Sequence, residues 1–239
     1  MKIPLVIWVA VWCQFIPLTA AIARPAQLTG PRLGVAIWLA LLLLSDGISY
    51  AWSHWWGLGN NHVVSFVLVP VQGVAILWAI AGWQIRPLLR QTVRLCIPLL
   101  ILWWGLDIAF LEDIRSFSMI GSPVYNILVL GAVLLAILTR ARAAEESLLR
   151  QDWFWILSGL MLFFATNAIV TIVQGAAIQS GDLALAVRAG SLKAVIDIIS
   201  YLLLTGGFLW AHRRTSSGDS SSPGRSRSSS SSSPSLSPS

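Results

Sequence analysis

Long apolar runs, each near the length of a membrane crossing, alternate with short polar or charged breaks along almost the whole chain. At about 20 apolar residues per crossing, the pattern predicts seven helices, over roughly 3–22, 33–52, 63–83, 94–112, 122–139, 153–174 and 191–210. Little is left for a soluble domain, so any core must lie between helices in lipid, where every backbone polar group is satisfied internally. Composition agrees. Of 239 residues, 56% are hydrophobic and 11% charged, against about 25% charged in soluble domains, and mean hydropathy is +0.75. The expected fold is an all-α integral membrane bundle of seven transmembrane helices within residues 1–214. Residues 215–239 are almost entirely Ser, Pro, Gly and Arg. They have no apolar surface to bury and are expected to be a disordered cytoplasmic tail on which function does not depend.

The start of the chain imitates a secretory signal, with Lys2, an apolar run and Ala21-Ile22-Ala23 as a cleavage-site pattern. The apolar run is long, however, and holds Gln14 and Pro17. Cleavage would also leave six spans and put Arg86, Arg90 and Arg94 outside. The first helix is therefore read as uncleaved. Arg24 and Arg32, then Arg86, Arg90 and Arg94, then Arg140, Arg142 and Arg150, and finally Arg213, Arg214, Arg225 and Arg227 fall in alternate loops and the tail. The other set holds only Lys2, Arg115, Arg188 and Lys193. The positive-inside rule then predicts an outside N-terminus and a cytoplasmic C-terminus in a cell inner (plasma) membrane. The net charge of +6 reflects this topology and the tail, and no nucleic-acid partner is expected.

Polar residues inside the spans are few and costly, about 2.5–3.5 kcal/mol for a central charge on insertion scales. Helical rise puts Asp46 and Asp107 about 20 Å above the inner edge of their helices, with Asn167 at similar height in the sixth. Asn126 and Asp197 lie about 6 and 9 Å down from the outer edge by the same measure. Five side chains from five helices thus fall in one outer layer. Asn167, Thr171 and Gln174 form a stripe at i, i+4, i+7. Asp46, Ser49 and Tyr50 share a face, as do Asp197, Ser200 and Tyr201, and both stretches read D-x-I-S-Y. Trp103, Trp104 and Asp107 share another. Asn126, Asn167 or the two D-x-I-S-Y faces are expected opposite Asp107, with Glu112 and Asp113 capping the layer outside. The layer fits packing glue between helices, a ligand-binding cavity, or proton-coupled chemistry, and the residues alone leave these open.

Other chemistry is thinly represented. Cys13 and Cys96 sit in different apolar segments and read as small core residues. His54 and His62 flank the outer loop and could join Glu112 and Asp113 as weak metal candidates, but no HxxxH or HExxH spacing occurs. Nucleophile-elbow, phosphate-loop and dinucleotide motifs are missing, so no catalytic residue or cofactor is assigned and the reading leans away from an enzyme. Of 13 tryptophans, most read as interfacial anchors; Trp38, Trp78, Trp103 and Trp104 lie deeper and are better placed to line a pocket.

Three stretches carry a resemblance. Asp46, Asn61, Pro70 and Gln72 form the first; FWILSGLMLFFATN, Phe154 to Asn167, the second; IDIISYLLLTGGF, Ile196 to Phe208, the third. Together they are similar to uncharacterised bacterial seven-helix integral membrane proteins of about this length. The chain departs from their pattern at Asp197 and Tyr201, where amides are expected, at Gln72, where an acid is frequent, and in its Ser-rich tail. The resemblance implies fold and topology and carries no activity.

The expectation is a non-enzymatic inner-membrane protein with an outward-facing polar pocket suited to sensing or binding a small ligand. Asp46, Tyr50, Gln72, Asp107, Asn126, Asn167, Asp197 and Tyr201 would line it, and a cytoplasmic or membrane protein partner would read any signal. A small proton- or ion-coupled transporter and a structural subunit without a ligand are the alternatives.

Overall fold

The computed structural model describes residues 4–23, 25–54, 62–112, 118–145 and 147–218. The first span is two helices, α1 (Leu5–Cys13) and α2 (Phe15–Ile22), parted at Gln14. Pro17 is the cause: it has no N–H to donate to the Cys13 carbonyl, so the ladder slips there. Gln14 keeps helical dihedrals (φ −62°, ψ −29°), which makes the break a kink and not a turn. A short 3-10 turn at Pro25–Gln27 leads to α3 (Pro31–His54), followed by α4 (His62–Trp83). Then come α5 (Pro87–Leu106), which widens into a π-helical turn at Asp107–Leu111, and α6 (Gly121–Arg142). A 3-10 turn at Leu148–Arg150, α7 (Asp152–Gln179) and α8 (Leu183–Gly218) complete the chain. Among the described residues the protein is all-helical, with seven segments long and apolar enough to cross a membrane.

The last two spans are longer than the apolar pattern suggests. α7 runs to Gln179 and α8 starts at Leu183, so the connection shrinks to three residues turning on Gly181 at φ +76°. Leu183 to Gly190 is mostly Leu, Ala and Val, good helix material that a hydropathy window interrupted by Asp182 and Arg188 passes over. Lys193, which the apolar pattern puts at a helix edge, therefore lies well inside α8. Helix also continues past Thr215 to Gly218, and residues 219–239 lie outside the described residues.

Neighbouring helices close a ring: α1 and α2 against α8, α2 against α3, α3 against α4, α4 against α6, α6 against α7, and α7 against α8. α5 stands outside it, mainly against α4, and buries only Val93, Leu100 and Trp104 before the π turn. Without a hydrophobic force between helices in lipid, close approach has to come from small residues. Gly159 of α7 shows this: a Cβ there would stand 2.8 Å from the Ser200 carbonyl oxygen of α8. Where α3 and α6 meet α7 the core is aromatic, with Trp38 edge-on to Phe163 at 5.1 Å and Tyr125 edge-on to Phe164 at 5.8 Å.

One end of the bundle carries the arginines. Arg32 at the start of α3 pairs with Asp152 at the start of α7. Arg140 donates to the Trp83 carbonyl at 3.1 Å and lies 5.1 Å over the Trp153 ring. The polar interior lies toward the opposite end, where α4, α6 and α8 begin.

Candidate functional site

Each helix of the ring turns one polar stripe inward at helical spacing. Ser45 and Asp46 come from α3, Ser65 and Gln72 from α4, Ser122, Tyr125 and Asn126 from α6, Asn167 from α7, and Lys193, Asp197 and Tyr201 from α8. The kink between α1 and α2 adds Gln14. With Trp38 and Phe163 as apolar walls, they enclose a chamber of about 230 Å³. A second cavity of about 220 Å³ adjoins it, sharing Ser65, Val69, Ser122, Asn167 and Lys193. His62, Ser118, Thr171 and Gln174 line this outer cavity, which lies toward the end where α4 and α6 begin.

Two carboxylates are anchored, one across helices and one within a helix. Gln14 Nε2 donates to Asp46 Oδ2 at 2.8 Å, joining the kinked first span to α3. Lys193 Nζ pairs with Asp197 Oδ2 one turn along α8 and stands 5.4 Å over the Phe163 ring. Amide side chains spend their nitrogens on backbone carbonyls: Gln72 on Leu41 at 3.3 Å, Asn126 on Ser122 at 2.8 Å and Asn167 on Phe163 at 2.8 Å. A carbonyl acceptor can only face the NH₂ end of an amide, so each carbonyl oxygen is turned the other way. In the chamber lining, Gln14 Oε1, Tyr125 Oη and Asp197 Oδ1 are buried without a hydrogen-bond partner.

The structure thus brings Asp46, Gln72, Asn126, Asn167, Asp197 and Tyr201 to one chamber. Two expected members stand elsewhere. Tyr50 is 44% exposed and packs edge-on to Trp8 at 6.1 Å, in a groove of about 590 Å³ between α1 and α3. The D-x-I-S-Y pair is therefore asymmetric: Tyr50 turns to the groove beside Trp8 of α1, while α8 turns Tyr201 into the ring. Asp107 is fully buried but does not line the chamber. Its carboxylate lies against Gly121 at the start of α6, with Ser118 beside it, and not against Asn126 or Asn167. The physical reason is the place of α5 outside the ring: a side chain from its end meets the first turn of α6 before it can reach the interior.

Glu112 lies at the end of the bundle where α6 begins. Its Oε1 accepts from the backbone N–H groups of Met119 and Ile120, at 2.5 and 2.6 Å, just ahead of α6. A carboxylate there also suits the positive end of that helix. His62 lines the outer cavity, while Asp113 and the side chain of His54 lie outside the described residues. Among the described residues no group of three His, Cys, Asp or Glu gathers that could hold a metal.

Gln14, Ser45, Ser65, Ser122, Tyr125 and Lys193 are polar lining residues that sequence reasoning passed over. Pro17 three positions after Gln14 is the signal that could have found the first. For Lys193 it is the i, i+4, i+8 series with Asp197 and Tyr201. Of the deep tryptophans, Trp38 lines the chamber and Trp104 the outer cavity, whereas Trp78 borders an apolar groove between α3 and α4.

Seven apolar helices of crossing length around a polar interior are compatible with a multi-pass membrane protein. Compared with known proteins, the chain matches no family model, no curated protein and no solved structure.

Proposed function

We propose that this is a bacterial inner-membrane protein, N-terminus outside and C-terminus in the cytoplasm, that binds a small polar ligand reaching it from the outer side. The observation that carries the reading is the pair of adjoining cavities, with Asn167, Ser122 and Lys193 in the wall of both. Interior polar groups in a membrane bundle are costly unless they are paired or used. Here amides and carboxylates from the first span, α3, α4, α6, α7 and α8 line one space, and only Gln14 with Asp46 pairs across helices among them. The arginine-rich end, cytoplasmic by the positive-inside rule, lies opposite the opening. The role is sensor-like: ligand binding alters how α8 sits against α7, and a cytoplasmic or membrane partner reads the change.

A proton- or ion-coupled transporter is the second reading. The kink at Gln14 favours it, because transporters build their sites on interrupted helices near the membrane midplane, and Gln14 both breaks the first span and holds Asp46.

Accessibility tests the first reading. Cys13 and Cys96 are replaced, a cysteine is placed at Ser65 or Ser122, and intact cells are treated with a membrane-impermeant thiol reagent. Labelling at both positions is expected, at a rate below that of a Ser180→Cys control in the α7–α8 turn. If the control labels and neither chamber position does in folded protein, the polar groups are packing glue. Substrate-driven proton flux in vesicles, lost in Asp197→Asn, would favour the transporter.

A further inference from the structure

Hydrogen-bond bookkeeping in the chamber says what kind of ligand would fit it. Asp197 Oδ1 and Gln14 Oε1 are buried acceptors with no donor among the described residues. Gln72, Asn126 and Asn167 each turn a carbonyl oxygen away from the backbone acceptor that holds the amide nitrogen. Against the two unpartnered acceptors stands one buried lining hydroxyl without a partner, Tyr125 Oη. Charge points the same way, since Asp46 and Asp197 face one ammonium, that of Lys193, leaving one formal negative charge in the lining. Trp38, Tyr125, Phe163 and Tyr201 add aromatic faces, which attract cations and give an organic group apolar contact that a bare metal ion would not use.

The protein already holds an ammonium in this setting. Lys193 Nζ is bound to Asp197 Oδ2 and lies 5.4 Å over the Phe163 ring. It stands where the outer cavity meets the chamber, in the lining of both. Resting on the binding reading above, we infer that the chamber takes a small primary organic ammonium, and that the Lys193 side chain is its built-in competitor. The incoming ammonium donates to the unused acceptors, Asp197 Oδ1 and Gln14 Oε1 foremost. Its carbon skeleton lies against the aromatic wall, and Lys193 swings toward the outer cavity. A volume of about 230 Å³ has room for a ligand of a few carbon atoms.

The test uses the full-length protein in detergent, with ethanolamine as the probe and glycolate, ethylene glycol and sodium ion as controls of matched size or charge. Saturable thermal stabilisation and calorimetric binding are expected with ethanolamine alone. Asp197→Asn should weaken binding about ten- to a hundredfold, the range for losing one charge-assisted hydrogen bond. Should that variant fold poorly, Lys193→Met gives the opposite sign: it removes the competitor and one positive charge, so ethanolamine should bind about tenfold tighter or better. Glycolate binding, equal stabilisation by sodium, or no gain in Lys193→Met would overturn the proposal. Thiol labelling at Ser65 and Ser122 separates the two levels. Labelling without ethanolamine binding refutes the ligand class and spares the cavity, whereas no labelling refutes both.

Discussion

At the scale of single residues, the polar atoms of this interior follow from what proline takes away. Pro70 in α4 has no N–H for the Phe66 carbonyl, and in a membrane bundle that oxygen must find another donor. It finds the indole of Trp104, whose Nε1 donates to Phe66 O at 2.8 Å from the neighbouring α5. A tryptophan read from the sequence as a possible pocket wall is thus also a repair to a broken helix ladder. Trp104→Phe should cost about 1 kcal/mol, the usual net value of such a bond. In a Pro70→Ala background the restored N–H serves the same carbonyl, so the cost of Trp104→Phe should shrink to its packing part. Thermal unfolding in detergent across the four proteins of that cycle measures the coupling, and strict additivity would refute the account.

At the scale of helices, contact distance is set by where side chains are missing. Gly159 lets α7 approach α8 so closely that a methyl group would meet the Ser200 carbonyl and Leu204. Gly159→Ala should therefore destabilise by about 1–3 kcal/mol, the cost of overpacking a filled interface. Gly131, in the middle of α6, has nothing within 4 Å of its Cβ position. Gly131→Ala should be neutral or stabilise by up to about 1 kcal/mol through helix propensity. The contrast matters because both glycines sit in equally apolar runs. Retention of fold in detergent, followed by thermal unfolding, distinguishes them. At the arginine-rich end, the Arg32–Asp152 pair joins the starts of α3 and α7. Arg32→Met should lower stability by about 1 kcal/mol, less at high salt, since both side chains are partly exposed.

At the scale of the whole molecule, the predicted orientation makes two faces chemically distinct. A single cysteine at Ala143, in the connection after α6, should be labelled by an impermeant reagent only after cells are opened. One at Ser180, in the turn before α8, should label in intact cells. The reverse pattern would invert the topology and place the chamber opening toward the cytoplasm. The bundle's asymmetry has a functional consequence: the ring leaves polar space inside, while α5 stands apart and its Asp107 is sealed against α6.

The number of helices and their apolar character were legible in the sequence, because lipid demands long runs that alternate with charged breaks. The convergence of Asp46, Asn126, Asn167 and Asp197 was legible too, since depth along a helix follows directly from residue count and one layer of polar groups shows as equal depths. Rotation about the axis and neighbour order do not follow from depth. Asp107 and Tyr50 face other neighbours, because α5 packs outside the ring and Tyr50 turns to the groove between α1 and α3. Lys193 and Gln14 went unread for the complementary reason: one was hidden by a helix start that hydropathy blurs, the other by a kink whose effect depends on what lies across from it. Sequence alone determined which residues share a level of the bundle; which of them share a space was decided by the order in which the helices pack.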